Sequence, residues 1–93
     1  MAIEVRVPTV LRQHTEGEAK VHADGTTLRE VIDDLESRYD GIKPRLVTDD
    51  GAPHRFINLY VNDEDVRFLS GIDTPVEDGD IVAILPAVAG GNG

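Results

Sequence analysis

The interior of this 93-residue chain offers few groups able to do chemistry, and the best candidate lies at its end. Cysteine is absent, so no thiolate nucleophile, disulfide or thiolate metal site can form. His14, His22 and His54 lack the mutual spacing and companion ligands of a metal centre, and solvated surface histidines are the expectation for all three. Asp63-Glu64-Asp65 and Glu77-Asp78-Gly79-Asp80 do not have the ligand spacing of a calcium loop and read as turns. No Ser-His-Asp order, Gly-rich phosphate loop or paired buried carboxylate is recognisable, so no enzyme active site, metal or cofactor is expected. What remains is Leu85-Pro86-Ala87-Val88-Ala89-Gly90-Gly91, a run without charge and too small in side chain to build a core. Two residues without Cβ let a terminal carbonyl pass a narrow channel and leave its carbon open to attack, which suits an acyl carrier. The competing reading of Gly90 and Gly91 is an ordinary frayed chain end.

An acyl group of this kind needs a folded body to present it. Ile3, Val5 and Val7 alternate with Glu4 and Arg6, the period of a half-buried strand, which Pro8 ends. A polar connection over residues 12–17 leads to Ala19, Val21 and Ala23, alternating with Lys20, His22 and Asp24, and the two strands should form a hairpin. Asp24-Gly25 turns the chain. Thr27 with Glu30 makes a capping box, and Leu28, Val31, Ile32, Leu35 and Tyr39 follow at spacings of three and four along one face of a helix. Gly41 provides a residue able to take positive φ past the helix end, and Pro44 prevents simple continuation.

Residues 48–55 read as a loop. Residues 56–61 are nearly continuous in apolar character, which predicts a central strand covered on much of both faces. A short strand is expected at 66–68 and a last strand at 81–85, beyond the turn at Glu77-Asp78-Gly79-Asp80. Strand, strand, helix, strand, short strand, strand is an α+β order. It suits a ubiquitin-like β-grasp, a mixed sheet of four to five strands on one main helix, with a domain over residues 1–86 and a flexible Gly-Gly tail over 87–93. A ferredoxin-like layout would need a second long helix, and residues 69–79 are too rich in turn formers for one. Strand alternation puts Leu85 opposite Val82 and Ile84 if no bulge intervenes. In that case Leu85, Val88 and Tyr60 form an apolar docking patch beside the tail; otherwise Leu85 belongs to the core.

Composition narrows the partners. Eighteen acidic against nine basic side chains give a net charge of -9, which repels nucleic acid and anionic lipid and favours basic partner surfaces, or simply keeps the chain soluble. No run reaches the roughly 18 apolar residues of a membrane span, and the first ten residues are unlike a signal peptide, so a cytoplasmic protein is expected, with no membrane and no nucleic acid as ligand. A carrier that visits several active sites works best as a monomer. About 15 Å of extended chain after Pro86 would reach into a partner's cleft.

Val7-Pro8-Thr9-Val10-Leu11-Arg12, Tyr60-Val61-Asn62-Asp63-Glu64-Asp65-Val66-Arg67-Phe68 and Asp78-Gly79-Asp80 leading to Ile84-Leu85-Pro86-Ala87-Val88-Ala89-Gly90-Gly91 together resemble the ThiS/MoaD/CysO family of ubiquitin-like sulfur carriers over nearly the full length. The resemblance implies that an E1-like adenylating enzyme activates the Gly91 carboxylate, which becomes a thiocarboxylate, and that Val88, Ala89, Gly90 and Gly91 form the tail entering partner sites. It further implies a sulfur-accepting synthase as partner, PLP-dependent cysteine synthase or a thiazole-synthase-like enzyme, and a JAMM-type metallopeptidase that releases the product. Cysteine biosynthesis is the expected client, with thiamin thiazole, molybdopterin and thiosugar pathways or protein modification as alternatives. Asn92 and Gly93 depart from the pattern. Either they are trimmed before activation, or Gly93 is itself used, or they are a cloning remnant.

Overall fold

A computed structural model describes residues 2–87. Five strands, β1 (Ala2–Arg6), β2 (Lys20–Asp24), β3 (Ile57–Val61), β4 (Glu64–Asp65) and β5 (Ile81–Pro86), form one mixed sheet in the order β2-β1-β5-β3-β4. β1 and β2 pair antiparallel as the expected hairpin, β5 runs parallel to β1 and antiparallel to β3, and β4 closes the far edge. This is the β-grasp.

One face of the sheet is core. Ile3, Val5, Val21, Ala23, Ile57, Leu59, Val61, Val82 and Ile84 point from it onto Leu28, Val31, Ile32 and Leu35 of helix α1 (Leu28–Arg38). Full burial of each such side chain contributes about 1.5–3 kcal/mol. The capping box forms with a shift of one residue. The Glu30 N–H donates to Thr27 Oγ1 at 3.2 Å, while Glu30 Oε1 accepts from the Thr26 N–H and hydroxyl, both at 2.8 Å, rather than from Thr27. Gly41 takes φ +93 just past the helix, as its type suggested. Gly25 is required by proximity: a Cβ there would lie 2.8 Å from the Val31 nitrogen.

Four expectations need correction. Residues 56–61 do not form the central strand; β5 holds that place, and burial in β3 alternates because Asn58 and Tyr60 face away from the helix. Phe56 lies before the strand, 54% exposed, under the Arg55 guanidinium. The connection after β1 is a 3-10 helix, Thr9–Thr15, which buries Leu11 and Thr15, the latter because its hydroxyl donates to the Glu18 carbonyl at 2.8 Å. α1 ends at Arg38, well before Pro44, and Pro44 instead sits in the first turn of a short helix α2 (Lys43–Leu46), where its missing N–H costs nothing. The strand expected at 66–68 is a 3-10 turn, Val66–Phe68. The pairing with β3 occurs earlier, at β4, because Asp65 accepts from the Arg67 N–H at 2.9 Å and bends the chain away.

The turn from α1 to α2 is organised by one carboxylate. Glu36 accepts from the Gly41 N–H at 2.9 Å and the Lys43 N–H at 2.8 Å, and these bonds hold its pKa below the ordinary value of 4.5. A carboxyl lowered on folding adds stability that is fully present above its ordinary value and is lost as the pH falls through the folded one. Glu36→Ala should therefore be less stable than the parent at about pH 7, with the gap closing towards about pH 3, in urea titrations at the two values. A gap independent of pH would contradict this role. Gly25→Ala should cost about 1–3 kcal/mol in the same assay, because the helix start must move to admit the methyl group.

Candidate functional site

The described chain ends where the sequence placed its chemistry. Val88, Ala89, Gly90 and Gly91 lie outside the described residues, so the site consists of the root from which they leave and the surface around it. β5 is hydrogen-bonded on both sides up to Ala83 and on the β3 side up to Pro86, opposite Ile57. One further bond follows, from the Ala87 N–H to the Phe56 carbonyl at 2.8 Å. The root is thus tied to the body as far as residue 87.

The sheet face away from α1 is open. Its register sets Lys20 beside Arg6, Arg6 beside Ala83, Ala83 beside Tyr60 and Tyr60 beside Asp65, one row across all five strands. Leu85 sits opposite Asn58, two residues nearer the tail than this row. No bulge breaks β5 in this register, so alternation decides the matter: Val82 and Ile84 are buried and Leu85 is 46% exposed, outside the core. Tyr60 is half-buried on the same face, diagonal to Leu85. Leu85 and Tyr60 thus share the open face at diagonal positions of the β3–β5 pair, and Val88, the third residue expected in the patch, lies outside the described residues. Exposed Phe68, at 85%, ends the 3-10 segment after β4 and exposed Leu69 follows it; neither is singled out as a surface residue by the sequence alone. Phe68 fell in the strand expected at 66–68, and only the Asp65 turn reveals otherwise.

Two ion pairs flank this face and stay charged at neutral pH. Arg6 donates to Glu4 at 2.8 Å, and Arg67 donates to Asp65, with Nη2 to Oδ2 at 2.6 Å; each arginine holds its carboxyl below the ordinary range. A groove of about 340 Å³ bounded by Arg6, Pro8, Arg12, Lys20 and Leu85 lies on the β1 side of the root. A second, about 280 Å³, lies beyond Phe56 and is bounded by Val10, Pro44, Arg45, His54 and Ile57.

The histidines do not behave alike. His22 is exposed, and His54 Nδ1 accepts from the Phe56 N–H at 3.3 Å. His14 departs from the surface expectation: its ring packs beside Gly41, and Nε2 is buried without a hydrogen-bond partner. Among the described residues no three His, Cys, Asp or Glu side chains are placed to hold a metal. No helix among them is long and apolar enough to cross a membrane.

Comparison with known proteins adds what geometry cannot. A match to the ThiS family spans residues 5–91. The sulfur carrier protein CysO of Mycobacterium tuberculosis is 56% identical over 93 residues, covering 98% of this chain and all of that protein. The crystal structure of the Amycolatopsis orientalis BexX/CysO complex contains a chain 60% identical to this one, with a TM-score of 0.90 over 97% of this chain and 100% of that one. The small archaeal modifier protein 3 of Haloferax volcanii is 40% identical over 68 residues, 73% of each chain.

The open face and the core face make opposite demands on neighbouring positions. Leu85→Asp should change stability by less than about 0.5 kcal/mol, while Leu59→Ala, across the strand pair but inside, should cost about 2–5 kcal/mol in urea denaturation. Comparable losses at the two positions would mean that Leu85 packs as core.

Proposed function

The chain belongs to the ThiS family, and on that premise we propose that it is a sulfur carrier whose Gly91 carboxylate is converted to a thiocarboxylate, with cysteine biosynthesis as its client. The observation that carries this reading is the full-length likeness to CysO, together with a family match that ends on Gly91, the second of the paired glycines. The body, residues 1–86, then serves as a handle, and residues 87–93 are the working tail.

A carboxylate is a poor electrophile because its charge is shared by both oxygens. An E1-like adenylating enzyme overcomes this: a Gly91 oxygen attacks the α-phosphorus of ATP, pyrophosphate leaves, and the mixed anhydride has AMP as a good leaving group. Sulfide supplied on the enzyme side attacks the carbonyl carbon, the carbon–sulfur bond replaces the bond to AMP, which leaves, and a thiocarboxylate results. That sulfur bonds to Cβ of an activated serine derivative held by a PLP-dependent synthase, and the Cβ–oxygen bond breaks as the activating group leaves with that oxygen. An acyl shift from sulfur to nitrogen makes a C-terminal cysteinyl adduct, and a JAMM-type metallopeptidase hydrolyses the new amide to release cysteine. Each step is run by a partner, so the chain is a cosubstrate and not an enzyme. It does this work as a cytoplasmic monomer.

Asn92 and Gly93 must be removed first, because the acyl group has to be that of Gly91. The open face supplies docking: Leu85 and Tyr60 give an apolar contact beside the tail, so that the partner grips the handle while the glycines thread its active site. The solved CysO complex supports the idea that carriers of this kind work bound to another protein.

A second reading has its own support. The likeness to a small archaeal modifier protein favours transfer of the Gly91 acyl group to lysines, because one adenylate serves both chemistries. Intact mass spectrometry of protein isolated from its native cells separates the two. The carrier reading expects a chain ending at Gly91 with one oxygen replaced by sulfur, and a cysteinyl adduct when the metallopeptidase is deleted. A ladder of heavier protein conjugates with no thiocarboxylate would support the modifier instead.

A further inference from the structure

The nine basic side chains are divided by place and by pairing. Arg29, Arg38, Lys43 and Arg67 each form a salt bridge to an aspartate: Asp73, both Asp24 and Asp34, Asp33, and Asp65 respectively. The other five are Arg6, Arg12, Lys20, Arg45 and Arg55. Arg6, Arg12 and Lys20 bound the groove beside Leu85, Arg45 bounds the groove beyond Phe56, and Arg55 lies over the Phe56 ring at 4.9 Å. The grooves flank the root: Leu85, one residue before Pro86, lines the first, and Phe56, whose carbonyl accepts from the Ala87 N–H, lines the second. Among the described residues, Arg6 alone of these five has a salt-bridge partner, Glu4, and no Asp or Glu lines either groove.

The opposite end of β5 carries the reverse charge. Glu77, Asp78 and Asp80 precede the strand, and Asp63 in the adjoining turn and Glu64 at the start of β4 lie beside them, the turn tied in by the bond from Asn62 Nδ2 to Asp80 Oδ1 at 3.0 Å. Six strand residues put about 17 Å between the two ends, more than a Debye length of about 8 Å at physiological salt. A partner near the tail therefore meets the local positive charge before the net charge of -9.

We propose that Arg6, Arg12, Lys20, Arg45 and Arg55 form a cationic collar around the tail root that docks on the acidic rim of a partner protein's active-site cleft. The expectation from net charge, basic partner surfaces, is thereby reversed for the face that matters. The collar turns the carrier tail-first during approach, and Pro8, Leu85, Val10 and Phe56 supply the apolar contact once the charges have met. This rests on the reading that the tail is delivered to an activating enzyme.

The test uses the full chain and the purified ATP-dependent activating enzyme of the same organism, with kcat/KM for adenylation measured from about 20 mM to about 500 mM salt. The triple variant Lys20→Glu, Arg45→Glu, Arg55→Glu changes exposed side chains that make no hydrogen bond among the described residues, and circular dichroism checks that it is folded. Lys43→Glu with Arg38→Glu is the control on the helix side. The collar predicts that parental kcat/KM falls with salt, that the triple variant loses at least about tenfold at low salt, and that the difference shrinks at high salt while the control stays near the parent. Equal rates and equal salt slopes for parent and triple variant would overturn it. So would a loss that is the same at every salt concentration, which would mark a contact to nucleotide or a packing role. A chain truncated before Gly91 separates the two proposals: if it is inert while the triple variant matches the parent, the collar fails and the carrier reading stands.

Discussion

The hydrogen bonding of β5 on both edges is the constraint from which the rest follows. A last strand could have been added at the rim of the sheet. It enters between β1 and β3 instead, with Val82 and Ile84 driven into the core and the parallel pairing to β1 fixing the direction in which the chain leaves. A central strand is hard to detach, because unpairing it exposes two rows of backbone groups and opens the apolar layer beneath. The root at Ala87 therefore follows a strand paired on both edges, and its position is set by the fold. The placement also decides what surrounds the root: the end of β1, the 3-10 helix after it and the start of β3 all meet there.

A carrier of this design separates stability from reactivity. The core needs only an apolar helix face, an alternating sheet and a few caps, all of them in residues that precede the paired glycines in the chain. The chemistry needs a carbonyl carbon with no side chain near it, which two glycines provide and a packed core would not tolerate. Catalysts are then left to partner enzymes. Likeness to a small archaeal modifier protein as well as to CysO is consistent with that division, since the handle and the activated acyl group suit either acceptor.

Much of the fold was legible in periodicity. The hairpin and the helix follow from alternation and from spacings of three and four, and the turn before β5 from its residue types, while the side taken by Leu85 stayed open until the register excluded a bulge. What escaped was tertiary. The apolar run at 56–61 looks central to any local reading, because nothing in the run reveals that Phe56 stacks under Arg55 outside the sheet or that β5 takes the middle position. Pro44 was legible as a barrier to continuing α1 and not as part of a helix start, since both follow from the same missing N–H. Thr15 looked like a loop residue until its hydroxyl found the Glu18 carbonyl. The cationic collar was invisible for another reason: Arg6, Arg12, Lys20, Arg45 and Arg55 are scattered along the chain, and only the fold gathers them. The acyl site itself was read from the paired glycines and from family resemblance, with periodicity contributing nothing.

The account stands on Gly91 being the residue that a partner activates. The most direct measurement is exchange of labelled pyrophosphate into ATP by the organism's purified activating enzyme, comparing a chain that ends at Gly91 with one that ends at Gly90. Exchange that depends on the first and is lost with the second is the predicted result. Equal exchange with both, or none with either, would contradict it.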